Sequence, residues 1–125
     1  MRKYVLLAPR NSLILVMDQS VGEIPESMNK ALVAATPSCI AVGTLSEHDG
    51  ETLISLSDEA SPGKVDLSLV FDGVLETPAR KLSLCSVLDE ALITLDVPAE
   101  TTCVQVWAND DKEPNEIAVV VTRQM

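Results

Sequence analysis

The chain has 125 residues, 46% of them apolar, and carries 19 acidic against 9 basic side chains, a formal net charge of −10. This length fits one domain, residues 1–125, able to fold without disulfides or metals, and the apolar content excludes a disordered acidic tail. The negative field repels phosphate backbones, which argues against direct nucleic-acid binding and favours solubility or steering toward a basic partner.

Tyr4, Phe71 and Trp107 are the aromatic residues, so Val, Leu, Ile and Ala must fill the core. Branched side chains of this kind suit pleated strands. Cys39, Cys85 and Cys103 are odd in number and lack a CxxC spacing, which points away from a disulfide framework or a zinc site. The apolar run Tyr4–Ala8 is too short for a signal peptide, and no later run is long enough for a membrane helix. Free thiols and no leader give the cytoplasm as the expected compartment.

Tyr4–Ala8 and Leu13–Met17 flank the turn-like Pro9-Arg10-Asn11-Ser12, which predicts a β-hairpin. Ile24, Met28, Ala31, Leu32 and Ala35 then fall at helical spacing. With Pro25 in the first turn and Pro37 as a stop, they predict one short helix near residues 25–35. Beyond Pro37 the text is strand-like. Cys39–Leu45 and Glu51–Leu56 bracket Asp49-Gly50, a hairpin-turn signal. Ser57–Gly63 reads as a polar loop. Val65, Leu67, Leu69 and Phe71 alternate onto one face, and Asp72-Gly73 marks a turn or bulge. Arg80–Cys85, then Ala91, Ile93, Leu95 and Val97, then Thr102, Val104, Val106 and Ala108, and last Ile117, Val119 and Val121 supply the remaining strands. Short strands recurring about every ten residues predict a mostly β fold. The expected architecture is a β-sandwich, alternatively a barrel, of about 8–9 antiparallel strands.

Little in the chain points to catalysis. His48, the single histidine, lies in Glu47-His48-Asp49-Gly50-Glu51, which reads as a solvated turn. Any Ser–His or Cys–His arrangement would have to use it. G-x-S-x-G, glycine-rich phosphate loops and HExxH are absent from the sequence, so the expectation is a protein that is not an enzyme and takes no cofactor. Asp110, Asp111 and Glu113 are weak candidates for a hard cation, because Asp110–Glu116 lacks the EF-hand register.

Trp107 carries the sharper reading. Thr102, Val104, Val106 and Ala108 already furnish one apolar face, so Trp107 points the opposite way, beside Cys103 and Gln105. It belongs either to a second buried face or to a partner-binding surface. Asp110, Asp111, Glu113 and Glu116 follow at once and would rim such a surface.

Phe71-Asp72-Gly73-Val74-Leu75-Glu76-Thr77-Pro78, Leu95-Asp96-Val97-Pro98, Val104–Asn109 and Glu113–Ile117 together resemble the ComJ-like (competence protein J) bacterial β-sandwich proteins. That family includes an inhibitor of a DNA-entry nuclease. The resemblance covers a little under half the chain and leaves the N-terminal half unaligned. It implies a non-catalytic acidic binding protein, of inhibitor or immunity type, that blocks a basic protein partner such as a nuclease. The alternative is an assembly domain acting by self-association as a homo-oligomer, suggested by apolar residues on both faces of Ile117–Thr122. A second alternative is a small ligand-binding or carboxylate-dependent enzyme domain.

Overall fold

Branched and aliphatic residues alternating with polar ones build ten strands among the described residues of the computed structural model, 2–58 and 66–122. In chain order these are β1 (Arg2–Leu7), β2 (Leu13–Met17), β3 (Val33–Thr36), β4 (Cys39–Gly43) and β5 (Thr52–Ser57). There follow β6 (Ser68–Glu76), β7 (Lys81–Cys85), β8 (Ala91–Asp96), β9 (Thr101–Ala108) and β10 (Glu116–Thr122). They form two five-stranded sheets, β1-β5-β10-β9-β6 and β3-β4-β2-β7-β8, stacked as a sandwich and not closed into a barrel. One face of each sheet meets the other in the core. Ile54, Leu56, Leu75, Val104, Val106, Ile117 and Val119 come from the first sheet, and Ile14, Val16, Ile40, Val42, Leu82, Leu84 and Leu95 from the second. Burying each such side chain stabilises the fold by about 1.5–3 kcal/mol, which makes this layer the main adhesive. Lys3 Nζ donates to the Thr94 carbonyl at 2.7 Å along one edge, and the Glu76 N–H donates to the Pro37 carbonyl at 2.9 Å along the other.

The alternation of β9 is as the sequence predicts. The expected inward residues of β8 and β10 are buried except Ala91, which is exposed because a register shift opposite Cys85 turns Leu92 toward the core instead. Ile93, Leu95, Thr102, Val104, Val106, Ala108, Ile117, Val119 and Val121 are all buried. Other expectations fail for identifiable reasons. The hairpin across Pro9–Ser12 does not form, because β1 pairs with β5 and β2 pairs with β4 and β7 in the opposite sheet. Asn11 and Ser12 adopt positive φ (59° and 55°), and the tight turn carries the chain from one layer to the other. The Asp49-Gly50 hairpin fails in the same way, since β4 and β5 also lie in different sheets. Gly50, at φ 147°, still makes the turn, but the turn is a bridge between sheets.

The predicted helix near residues 25–35 is absent. Asn29 and Lys30 have positive φ (50° and 63°), which breaks any helical path, and Val33–Thr36 pair with Cys39–Val42 as an edge strand. A sheet edge offers Val33 and Thr36 ladder hydrogen bonds that outweigh a weak local helical preference. The preceding residues become a strap over the outer face of the second sheet. Met28 packs there on Leu15, Met17, Cys39, Ala41 and Cys85. The Glu23 N–H donates to Ser38 Oγ at 2.9 Å, and Thr36 Oγ1 donates to the Glu23 carbonyl at 2.6 Å.

In β6 the expected single face of Val65, Leu67, Leu69 and Phe71 is split. A bulge between Leu69 and Phe71 sends Leu69 outward, opposite Trp107, and Phe71 inward, opposite Val106. Val65, with most of the Ser57–Gly63 loop, lies outside the described residues. Asp72-Gly73 is no turn, because β6 runs through it to Glu76. The sheets are also not wholly antiparallel, since β5 and β10 pair in parallel.

Candidate functional site

Hydrogen bonds between loops decide what comes together at one end of the sandwich. The Leu45 N–H donates to the Pro114 carbonyl at 2.8 Å, and the Leu53 N–H donates to the Asn115 carbonyl at 2.9 Å. The Asn11 N–H donates to Glu47 Oε1 at 3.2 Å, and the Glu47 N–H donates to Ser12 Oγ at 3.1 Å. Loops 8–12, 44–51 and 109–116 therefore form one surface. It gathers Glu47, Asp49, Glu51, Asp110, Asp111, Glu113 and Glu116, with Arg10, His48 and Lys112 as the bases on the same loops. The His48 turn and the loop after Trp107, some sixty residues apart in sequence, share this end. Their convergence is invisible to sequence reading, because it follows from β5 and β10 being neighbours.

Loop 109–116 is built by its own side chains. Asn109 Oδ1 accepts from the Asn115 and Glu116 N–H groups at 3.1 and 3.2 Å, and Asn109 Nδ2 donates to Asn115 Oδ1 at 2.6 Å. Asp110 Oδ2 accepts from the Glu113 N–H at 2.8 Å and the Lys112 N–H at 3.1 Å. Those two backbone donors, Glu113 first, hold the Asp110 carboxyl below the usual carboxylate range, so it is firmly anionic at neutral pH. Asp111, Glu113 and Lys112 are exposed. Among the described residues no three His, Cys, Asp or Glu side chains converge as a metal-ligand group.

Trp107 lies half-buried on the outer face of the first sheet, with Cys103 and Gln105, as its strand position requires. Across the strands it faces Ala118 of β10 and Leu69 of β6, and its indole N–H reaches Gln105 Oε1 at 3.3 Å. Leu69 beside it is 44% exposed, whereas Ala118 is 3% exposed and Val120 is fully covered. The centre of this outer face is thus closed to solvent within the monomer, and its margins are open. The two apolar faces of Ile117–Thr122 do not require self-association, because β10 is the central strand and both its faces are buried within one chain.

The nucleophile candidates do not assemble. His48 is exposed, and its backbone N–H donates to Ser46 Oγ at 3.3 Å. Burial pushes the Cys39 thiol up to about 11. Burial, aided by the negative charge of Asp89 and by Cys39, pushes that of Cys85 to about 12. Both thiols are protonated and shielded at neutral pH. A recess of about 390 Å³ is lined by Asp58, Asp96, Val97, Pro98, Thr102, Val121 and Thr122 at the opposite end of the sheets. It holds no histidine or cysteine beside its two carboxylates. Among the described residues no helix is long and apolar enough to cross a membrane.

No family model matches the chain, and no curated protein matches it. Two solved structures do. One is ComJ from Bacillus subtilis, described as an inhibitor of the DNA-degrading activity of NucA. It superposes with a TM-score of 0.67 at 11% identity, over 98% of this chain and 96% of that one. The other is the product of crocagin biosynthetic gene J, with a TM-score of 0.56 at 10% identity, over 99% of this chain and 96% of that one. The N-terminal half, which the sequence resemblance could not align, is included in both superpositions. The fold of this chain is similar to that of ComJ along nearly its whole length.

Proposed function

We propose that this protein is a non-catalytic acidic inhibitor that binds and blocks a basic protein partner, a nuclease being the favoured class. The observation that carries the reading is the convergence of three loops into one acidic end, bordered by Trp107 and Leu69. Carboxylates of one sign on rigid loops raise the encounter rate with a lysine- or arginine-rich surface, and an adjacent aromatic supplies the slow dissociation. A nuclease must itself present a basic groove to its substrate, so an acidic protein is suited to compete for that groove. ComJ, whose fold this chain resembles, inhibits a DNA-degrading activity, and that likeness supports the choice of partner class. Trp107, Asp110, Asp111, Glu113 and Glu116 are the proposed contact residues.

The test is degradation of plasmid DNA by lysate of the host cell, with and without the purified protein. Degradation should slow in its presence, and the effect should fade as ionic strength rises. A variant with Asp110→Asn, Asp111→Asn and Glu113→Gln should associate more slowly and with a flatter salt dependence. Unchanged degradation at large excess, at low and high salt, overturns the proposal.

A further inference from the structure

The most exposed apolar surface beside the acidic end is not Trp107. It lies on β1, at the edge of the first sheet, where Tyr4 and Leu6 are 57% and 58% exposed. Both point to the outer face, since Val5 and Leu7 between and after them pack into the core. The register places Tyr4 opposite Ser55 and Leu6 opposite Leu53 on β5. Leu53 in turn pairs with Glu116 and is tied by its N–H to the Asn115 carbonyl of the acidic loop. An exposed phenol and an isobutyl group, two residues apart on a rigid strand, therefore continue straight into the acidic end.

Two features separate this strip from an ordinary scatter of surface leucines. The apolar centre of the second sheet's outer face is covered by the chain's own strap through Met28, whereas Tyr4 and Leu6 are left open. Lys3, on the same strand, reaches away to the Thr94 carbonyl, so it does not screen the strip from the carboxylates. An apolar strip grading into a field of carboxylates complements an apolar side chain flanked by lysine or arginine. It is also a poor match for a second copy, which would bring a like-charged end against it in a chain of net charge −10.

We infer that Tyr4 and Leu6 of β1 form the apolar anchor of the surface that receives the basic partner. This inference rests on the inhibitor reading above and shifts the centre of the contact from Trp107 toward the β1 edge. The indole is half-buried with its N–H held by Gln105, so it has less area to give a partner than the β1 strip. Truncating an anchor chiefly speeds dissociation, whereas neutralising rim charges chiefly slows association.

The experiment uses the nuclease activity that the wild-type protein inhibits, purified from host lysate by its action on plasmid DNA. A Tyr4→Thr/Leu6→Thr double variant keeps strand-forming residues on an exposed face, and its thermal transition checks that it is folded. It should bind at least tenfold more weakly through faster dissociation, with the salt dependence of association unchanged. Hydroxyl-radical footprinting of the unmodified complex should protect Tyr4 and Leu6, a measurement that needs no variant. If the double variant binds as the wild type does, or Tyr4 and Leu6 stay unprotected, the anchor inference fails while the inhibitor reading stands. If the wild type inhibits no nuclease, both fail. If the double substitution instead turns a dimer into a monomer in sedimentation, the strip is a self-interface and the inference is overturned.

Discussion

Asp18 shows how one buried carboxylate organises two distant turns. Its Oδ1 accepts from the Ser20 N–H at 2.9 Å and from Ser20 Oγ at 2.7 Å, and its Oδ2 accepts from the Ala79 N–H at 2.7 Å. Burial alone would raise its pKa, but these three donors outweigh burial and hold the carboxyl below its ordinary value. A carboxyl with a depressed folded pKa contributes stability above its unfolded pKa of about 3.9 and loses it as pH falls through the folded value. Asp18→Ala should therefore destabilise the fold by about 2 kcal/mol at pH 6, and urea titrations should show the gap from wild type narrowing below about pH 4. Thr52 is the converse case, a fully buried hydroxyl whose oxygen has no hydrogen-bond partner among the described residues. Thr52→Val keeps the shape and removes that cost, so its urea midpoint should rise, corresponding to about 1 kcal/mol. The thiols offer a third check. With Cys39 and Cys85 pushed to about 11 and about 12, a thiol reagent at pH 8 should leave both unmodified until the protein unfolds.

At the scale of elements, the two layer-crossing turns matter most. Gly50 at φ 147° lies on the loop that carries Glu47, Asp49 and Glu51 to the acidic end. Gly50→Ala forces a side chain into a conformation that costs about 1–3 kcal/mol, and thermal unfolding should report that loss. The 18–32 strap is the other instructive element. Its apolar residues repeat at helical spacing, yet Met28 lies on the sheet and Leu32 packs against the core. Far-UV circular dichroism should accordingly be β-dominated, with no helical component attributable to residues 25–35. Pattern alone cannot separate these outcomes, because the same apolar residues serve a helix face or a strap, and the free edge of β4 decides.

At the scale of the molecule, the sandwich divides its work between layers. Met28 of the strap covers the apolar centre of the second sheet's outer face, and the first sheet is closed at its own centre, leaving Tyr4, Leu6 and Leu69 open around the acidic end. The single tryptophan reports directly on that margin. Half-buried, it should emit between the extremes of core and solvent, and acrylamide should quench it partially. Binding of the partner should blue-shift the emission. Full protection from acrylamide in the free monomer would assign the indole to the interior and remove it from the contact surface.

Alternation in Ile93–Val97 and Thr102–Ala108 was legible in the chain, because a period of two admits only a pleated strand with one buried face, and the continuous apolar run Ile117–Val121 fits the strand that is buried on both faces. The direction of Trp107 followed from the same period, and the acidic balance followed from counting. Tertiary structure alone decided which strands pair. The turn signals at Pro9–Ser12 and Asp49-Gly50 were real, but a turn fixes where the chain reverses and not whether it returns to the same sheet. The parallel pairing of β5 with β10 joined the His48 turn to the Trp107 loop, and the edge position of β1 left Tyr4 and Leu6 in the open. Both depend on contacts between residues distant in sequence, which local pattern does not encode.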